Sequence, residues 1–199
     1  MLNKKSAVVF DLDGTIFEEF LDRDKFFIDK IFKNNYIVFL IDRLARKVNS
    51  FDIIKNSMAF LKLRLAIYSL FSNKKYSEII NQYEKWYRSE VKEAIACNIG
   101  KLKNRRYKII VLSNNLFSKN LSLKTGDFLL LTTKSKFKTL KKIKEEYNIL
   151  FMVGNNMSDD ILPANMLNIP TIYLGKNKFV KLFSKFSFQD FETILKFLR

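Results

Sequence analysis

The chain has 199 residues, 48% of them hydrophobic, with a formal net charge of +16 at pH 7, no His and one Cys. That size and apolar fraction suit one packed core domain with a modest insertion, and the missing His and scarce Cys exclude Ser-His-Asp and Cys-His catalysis, His-ligated zinc, Cys-cluster metal centres and an internal disulfide. The charge points to anionic partners such as phosphorylated substrates, nucleic acid or an anionic membrane surface, although a composition dominated by Lys, Asn, Ile and Phe also follows from a low-GC coding bias.

A first strand is expected at Ala7–Phe10, running into Asp11-Leu12-Asp13-Gly14-Thr15. Residues i and i+2 of a strand share a side, so Asp11 and Asp13 converge on one small volume. Crowded carboxylates repel, and such a pair calls for a cation or a shared proton. Asp-Gly alone is a common turn, but the whole string at the end of an apolar strand is not. The stretch from about residue 16 to Gly100 holds no Gly or Pro and reads as helices. Phe26, Phe27 and Ile31 suggest one helix, and Ile37, Leu40, Ile41 and Leu44 another. Met58–Phe71 mixes Lys62 and Arg64 with apolar residues; it reads as a buried helix of the insertion, with a helix lying on an anionic membrane surface as the alternative. No 18-residue apolar run occurs, so no transmembrane helix is expected.

Tyr76, Ile79, Ile80, Tyr83, Trp86, Tyr87, Val91, Ala94 and Ile95 follow the i, i+3, i+4, i+7 rule of an amphipathic helix, with the aromatics read chiefly as core. Cys97 on that helix reads as a small buried residue. A lone Cys fits a reducing compartment, and the first strand begins too early for a signal peptide, so a cytoplasmic location is expected. After Gly100 the pattern changes to short β-rich runs at Tyr107–Leu112, Phe128–Leu131, Leu150–Val153 and Thr171–Leu174. A helix over about Phe137–Tyr147 separates two of them. Ser158 is placed as a helix cap with Pro163 in the first turn, and Asn168 at the left-handed exit. Phe188, Phe191, Ile194, Leu195 and Leu198 make a last helix. Strands alternating with helices give an α/β fold with a parallel sheet covered on both faces. In such sheets the site lies at the carboxyl ends of the strands, where Asp11, Asp13, Ser113 and Asn155 all fall.

The Asp11-to-Thr15 string resembles the first motif of the haloacid dehalogenase-like hydrolase superfamily. Ile109–Asn115, a buried-type strand ending in Ser113, is similar to the second. A Lys before a helix, at Lys134, Lys136 or Lys138, stands for the third. Lys136 is preferred, because its four-residue distance from Leu140 matches the Lys-to-Leu spacing of phosphoserine phosphatase-like members. Phe151–Ile161, with Gly154-Asn155 and the downstream Asp159 and Asp160, resembles the fourth, with Asn155 where the family usually has an acid. The resemblance implies a Rossmann-like three-layer sandwich formed by residues 1–16 and 100–199, with an all-α cap at 17–99 loosely like that of the phosphoserine phosphatase branch.

It further implies a Mg²⁺-dependent phosphatase acting on a small phosphate monoester. Asp11 would be the nucleophile and Asp13 the acid and base. Ser113, Asn114 and Gly14 would hold the phosphoryl group, and Lys136 would offset charge. Asp11, Asp13, Asn155, Asp159 and Asp160 are the candidate metal-binding residues. In this family the second Asp, here Asp13, marks ester hydrolysis or sugar-phosphate mutation rather than dehalogenation. The alternatives are a catalytically weak or inactive member that binds a phosphorylated ligand or partner, which Asn155 keeps open, and a sugar-phosphate mutase. The expected partner is a phosphorylated small molecule; nucleic acid is not expected.

Overall fold

The computed structural model describes residues 4–17, 32, 35–38, 40–41, 58–102, 106–115, 118, 124–125 and 128–199. The helix expected around Phe26, Phe27 and Ile31 lies outside them; of the next one, Ile37, Leu40 and Ile41 are helical, and Leu44 lies outside. The chain divides into two compact units, Met1–Glu18 with Val91–Arg199, and Glu19–Glu90. The boundaries read from the sequence were 16/17 and 99/100. The second was drawn at the first helix breaker, Gly100, whereas the helix Tyr76–Ile99 runs through the division.

In the first unit a sheet is built from β1 (Lys5–Asp11), β2 (Lys108–Ser113), β3 (Lys124–Thr125), β4 (Phe128–Thr132), β5 (Tyr147–Gly154), β6 (Thr171–Leu174) and β7 (Phe186–Phe188). Their order is β3-β4-β2-β1-β5-β6-β7. Every pairing is parallel except that of the short edge strand β3 with β4. Central parallel strands are covered on both faces and so read as continuous apolar runs, as Ala7–Phe10 and Ile109–Leu112 do. The registers Asp11↔Leu112, Ser113↔Thr132 and Phe10↔Val153 bring the ends of β1, β2, β4 and β5 to one edge.

The helices are α1 (Met58–Leu70), α2 (Tyr76–Ile99), α3 (Lys136–Glu146), α4 (Leu162–Met166), α5 (Lys178–Leu182) and α6 (Phe191–Phe197). Ala7 and Val9 of β1 pack with Ile110 and Leu112 against Leu140 and Ile143 of α3 and Ala164 of α4. Phe10 points the other way and meets Phe191 of α6 at 5.9 Å between ring centres. Alternation along β1 thus gives helix cover on both faces, a three-layer Rossmann-like sandwich. It also places Asp11 on the face of α3.

Three local expectations are corrected. Asn156, not Ser158, caps the turn after β5, its side chain accepting from the Ser158 and Asp159 backbone N–H groups. That turn is a π-helical segment, Met157–Ile161, continued by α4 with Pro163 in its first turn. Phe188 ends β7 rather than opening the last helix, which Asp190 caps by accepting from the Thr193 N–H at 2.7 Å. Cys97 is exposed, because the buried stripe of α2 runs through Val91, Ala94, Ile95 and Ile99 on the opposite side.

In the second unit the regular structure of the described residues is all helical. Leu65 and Tyr68 of α1 and Ile79, Tyr83 and Tyr87 of α2 are buried. Tyr68 meets Phe32 edge-on and accepts a hydrogen bond from the Arg64 Nε at 3.0 Å. No helix among the described residues is long and apolar enough to cross a membrane.

Asn168 leaves α4 with φ 52°. Residues with a Cβ lose roughly 1–2 kcal/mol in the left-handed region, a cost that Gly escapes and that Asn reduces by local hydrogen bonding. Asn168→Ala is therefore expected to lower unfolding free energy by about 1 kcal/mol, and Asn168→Gly by less, as read from urea midpoints.

Candidate active site

The site begins where β1 stops. The Leu12 N–H still donates to Leu112 O at 3.1 Å, and the Leu12 carbonyl then accepts from Ile16 and Phe17 N–H groups at 3.1 and 2.9 Å. This closes a tight loop over residues 12–17. Gly14 supports it with φ 84°. A Cβ there would also come within 2.1 Å of the Asn155 amide nitrogen, so the loop after β1 and the loop after β5 meet where only Gly fits. Asn98 of α2 donates to the Ile16 carbonyl at 2.8 Å and fixes the exit of the loop.

Asp11 is 3% exposed, and its carboxylate meets the Lys136 ammonium at 2.5 Å. Lys136 is the first residue of α3, whose cap is Ser135; Leu140 and Ile143 of that helix are buried in the core. Lys134 and Lys138 are exposed on either side. Lys136 also meets Asp160 at 2.6 Å. The other Asp160 oxygen accepts from the Asn155 and Asn156 N–H groups at 3.1 and 3.0 Å. Asp160 is fully buried, and a Cβ on Gly154 would lie 2.4 Å from its carboxylate. Gly154 thus lets the Asp160 side chain lie against the end of β5.

Asp13 lies beyond the strand end, and its carboxylate accepts from the Ser113 hydroxyl at 3.1 Å. The Ser113 oxygen accepts in turn from the Asn115 N–H at 3.0 Å. Thr133 N–H donates to the Ser113 carbonyl at 2.8 Å, tying the end of β2 to the residue after β4. Exposed Asn114 donates to Asp159 at 3.3 Å on the rim. Asp11, Asp13, Ser113, Lys136, Asn155 and Asp160 are therefore linked around the carboxyl edge of the sheet, with Asn114 and Asp159 outside them.

Three participants were not singled out by sequence as site residues. Thr15 donates to the second Asp11 oxygen at 3.3 Å; it belongs to the quoted motif but reads there only as a turn residue. Thr133 and Asn156 act through their backbone or a cap, and the only available signal is their place one residue beyond a strand or before a turn.

Burial, the Asp160 charge and the Asp13 charge push the Asp11 carboxyl well above its ordinary range, with Lys136 pulling against them. Burial pulls the Lys136 ammonium down, but Asp11 and Asp160 outweigh it and hold the group above its usual value. Three carboxyl groups crowd one ammonium, an arrangement that a proton on Asp11 or a bound cation relieves. The donors are oxygens, which suit Mg²⁺; this ion uses one or two carboxylates and keeps several waters. A ready-made cage of three acidic, His or Cys side chains is absent among the described residues, and Mg²⁺ does not require one. Asp11, Asp13 and Asn155, which lie together at this edge, would supply such oxygens. Asp160 is committed to Lys136 and two backbone amides.

No protein-family profile matches the sequence, and no curated protein does. Among solved structures, YfnB of Bacillus subtilis, bound to magnesium, is similar with a TM-score of 0.59 at 9% identity, over 98% of this chain and 99% of its own. A 2-haloacid dehalogenase of Pseudomonas syringae gives 0.53 at 14% identity over 97% of each chain. A phosphoserine phosphatase with a phospho-aspartyl intermediate analogue gives 0.51 at 16% identity, over 99% of this chain and 100% of its own. The chain has the fold of the haloacid dehalogenase-like hydrolases. That fold carries both phosphatases and dehalogenases.

Removing one partner of a buried charge network leaves the others unpaired and costs about 3–5 kcal/mol. Asp160→Ala is expected to destabilise the protein by about 3 kcal/mol or more, whereas Asp159→Ala stays within about 0.5 kcal/mol. Urea unfolding of both variants measures the contrast.

Proposed function

We propose that this protein is a Mg²⁺-dependent phosphatase that hydrolyses a small phosphate monoester through an aspartyl phosphate on Asp11. The observation that carries this reading is the buried Asp11 carboxylate, held by Lys136 at the sheet's carboxyl edge, beside an Asp13 held by Ser113. A dianionic phosphate is repelled by a carboxylate nucleophile unless positive charge and donors offset it. Bound at Asp11, the Asp13 carbonyl and Asn155, Mg²⁺ would supply that charge as a Lewis acid.

The chain's own residues perform the rest. Thr15 and Lys136 fix the rotamer of the Asp11 carboxylate, so one oxygen attacks phosphorus in line. Asp13 delivers a proton to the leaving oxygen, then removes one from the water that cleaves the acyl phosphate. Ser113, poised on Asp13 before substrate arrives, turns its hydroxyl to a phosphoryl oxygen. Exposed Asn114 lies at the rim where the phosphoryl group enters. The similarity to a phosphatase trapped with a phospho-aspartyl analogue supports the same reading, and Asp13 favours it over dehalogenation. The helical unit Glu19–Glu90 is proposed as the cap that selects the leaving group.

A second reading rests on Asn155. A neutral amide in place of a carboxylate weakens cation binding, and a non-catalytic member would bind a phosphorylated ligand or partner without turnover.

Wild-type protein is expected to turn over p-nitrophenyl phosphate with Mg²⁺ and to stop with EDTA. Asp11→Asn keeps the shape but not the nucleophile, and lowers turnover by on the order of 10³-fold or more; Lys136 keeps Asp160 as its partner, so the fold is expected to be retained at some cost in stability. Wild-type protein inert in Mg²⁺ would favour the second reading. If Asn155 faces the cation, Asn155→Asp lowers the Mg²⁺ concentration for half-maximal activity by about tenfold, equivalent to roughly 1.4 kcal/mol. Unchanged or weaker metal dependence removes Asn155 from the ligand set.

A further inference from the structure

We infer that the α4–α5 edge of the first unit is a docking face for an anionic lipid surface. α4 and α5 are short, five residues each, and they follow β5 and β6 in the chain. Their inner sides are anchored: Val180 packs with Ile161 and Tyr173 in a small core cluster, and Ala164 is buried against the sheet. Their outer sides are apolar and bare. Leu182 is 81% exposed, Met166 72%, Phe179 61%, Phe183 41% and Leu162 39%.

The segments that carry these side chains are tied together. The Asn165 amide donates to the Phe183 carbonyl at 2.6 Å and joins the two helices. Leu162 and Met166 lie on either side of Asn165 on α4, one turn apart. The rings of Phe179 and Phe183 are 5.1 Å apart. Single exposed apolar residues are ordinary, but a contiguous set marks an interaction surface.

The charge around the patch selects the partner. Between Asp160 and Asp190 the chain has four lysines, Lys176, Lys178, Lys181 and Lys185, and no acidic residue. Apolar and aromatic tips among lysines match the interface of an anionic bilayer, where the tips enter the acyl boundary and the ammonium groups meet headgroups. A second copy is disfavoured, since an isologous contact would place these lysines against themselves.

The test is co-sedimentation of the full chain with phosphatidylcholine vesicles, with and without phosphatidylglycerol. The chain is expected to bind only the anionic vesicles, and less at high salt. The overall positive charge alone would do as much, so the apolar tips decide. Phe179→Ser with Leu182→Ser preserves charge and removes two exposed side chains; its partition is expected to fall about tenfold or more, with thermal unfolding unchanged. Lys178→Gln with Lys181→Gln reduces partition by about fivefold per lysine and gives an independent reading should the serine variant fold poorly. Equal partition of the native chain and the folded serine variant overturns the proposal, whatever the lysine variant does. So does absence of binding to anionic vesicles, including the case where light scattering finds a dimer that the serine substitutions dissolve, or where only an acidic protein is bound.

Discussion

The site depends on one ammonium shared by two buried carboxylates. Lys136 holds Asp11 at 2.5 Å and Asp160 at 2.6 Å with almost no solvent at any of the three. Buried charges are tolerated when paired and hydrogen-bonded on their remaining atoms, and this cluster meets that condition unequally. Asp160 is saturated by Lys136 and two backbone amides, so it acts as a fixed post. Asp11 has Lys136 and one long bond from Thr15, and it lies near two other acids. Burial raises the proton affinity of Asp11 most, the Asp160 and Asp13 charges add to it, and Lys136 opposes it. With fewer fixed partners than Asp160, Asp11 is the carboxylate that the proposed mechanism uses as nucleophile.

The backbone around the cluster is shaped to allow this crowding. Gly14 and Gly154 are positions where a Cβ would collide with Asn155 and Asp160 respectively, so the loops after β1 and β5 approach more closely than side chains permit. Asn156 caps the π-helical turn that brings Asp160 back beneath the end of β5. A three-part linkage results: β1 supplies Asp11, the proposed nucleophile, α3 its counter-charge Lys136, and the turn after β5 the Asp160 carboxylate that positions the counter-charge. Asn155 then sits beside the site with an oxygen but no charge.

Much of the fold was legible because the central strands are buried on both faces. Ala7–Phe10, Ile109–Leu112 and Thr171–Leu174 carry apolar runs too short for helices and end at turn or polar residues. The edge elements were not legible: β3 has two residues and β7 three, too few for any period to emerge. Phe188 was assigned to the helix because its spacing to Phe191 is helical, yet the Asp190 cap starts the helix after it. Cys97 shows the opposite limit, where residue type suggested burial and the helix's angular position decided exposure. In the site, strand ends located Asp11, Asp13, Ser113 and Asn155 by chain order alone. The Thr15 contact and the double commitment of Asp160 depend on packing between distant segments, which no local pattern encodes.

The central claim is that Asp11 is the atom donor to phosphorus. Soaking or co-crystallising the protein with Mg²⁺ and beryllium fluoride mimics the phosphoryl group on a nucleophilic carboxylate. The account predicts a fluoroberyllate adduct on an Asp11 oxygen, with Lys136 still paired to Asp160. An adduct on Asp13, Asp160 or any other side chain would contradict it.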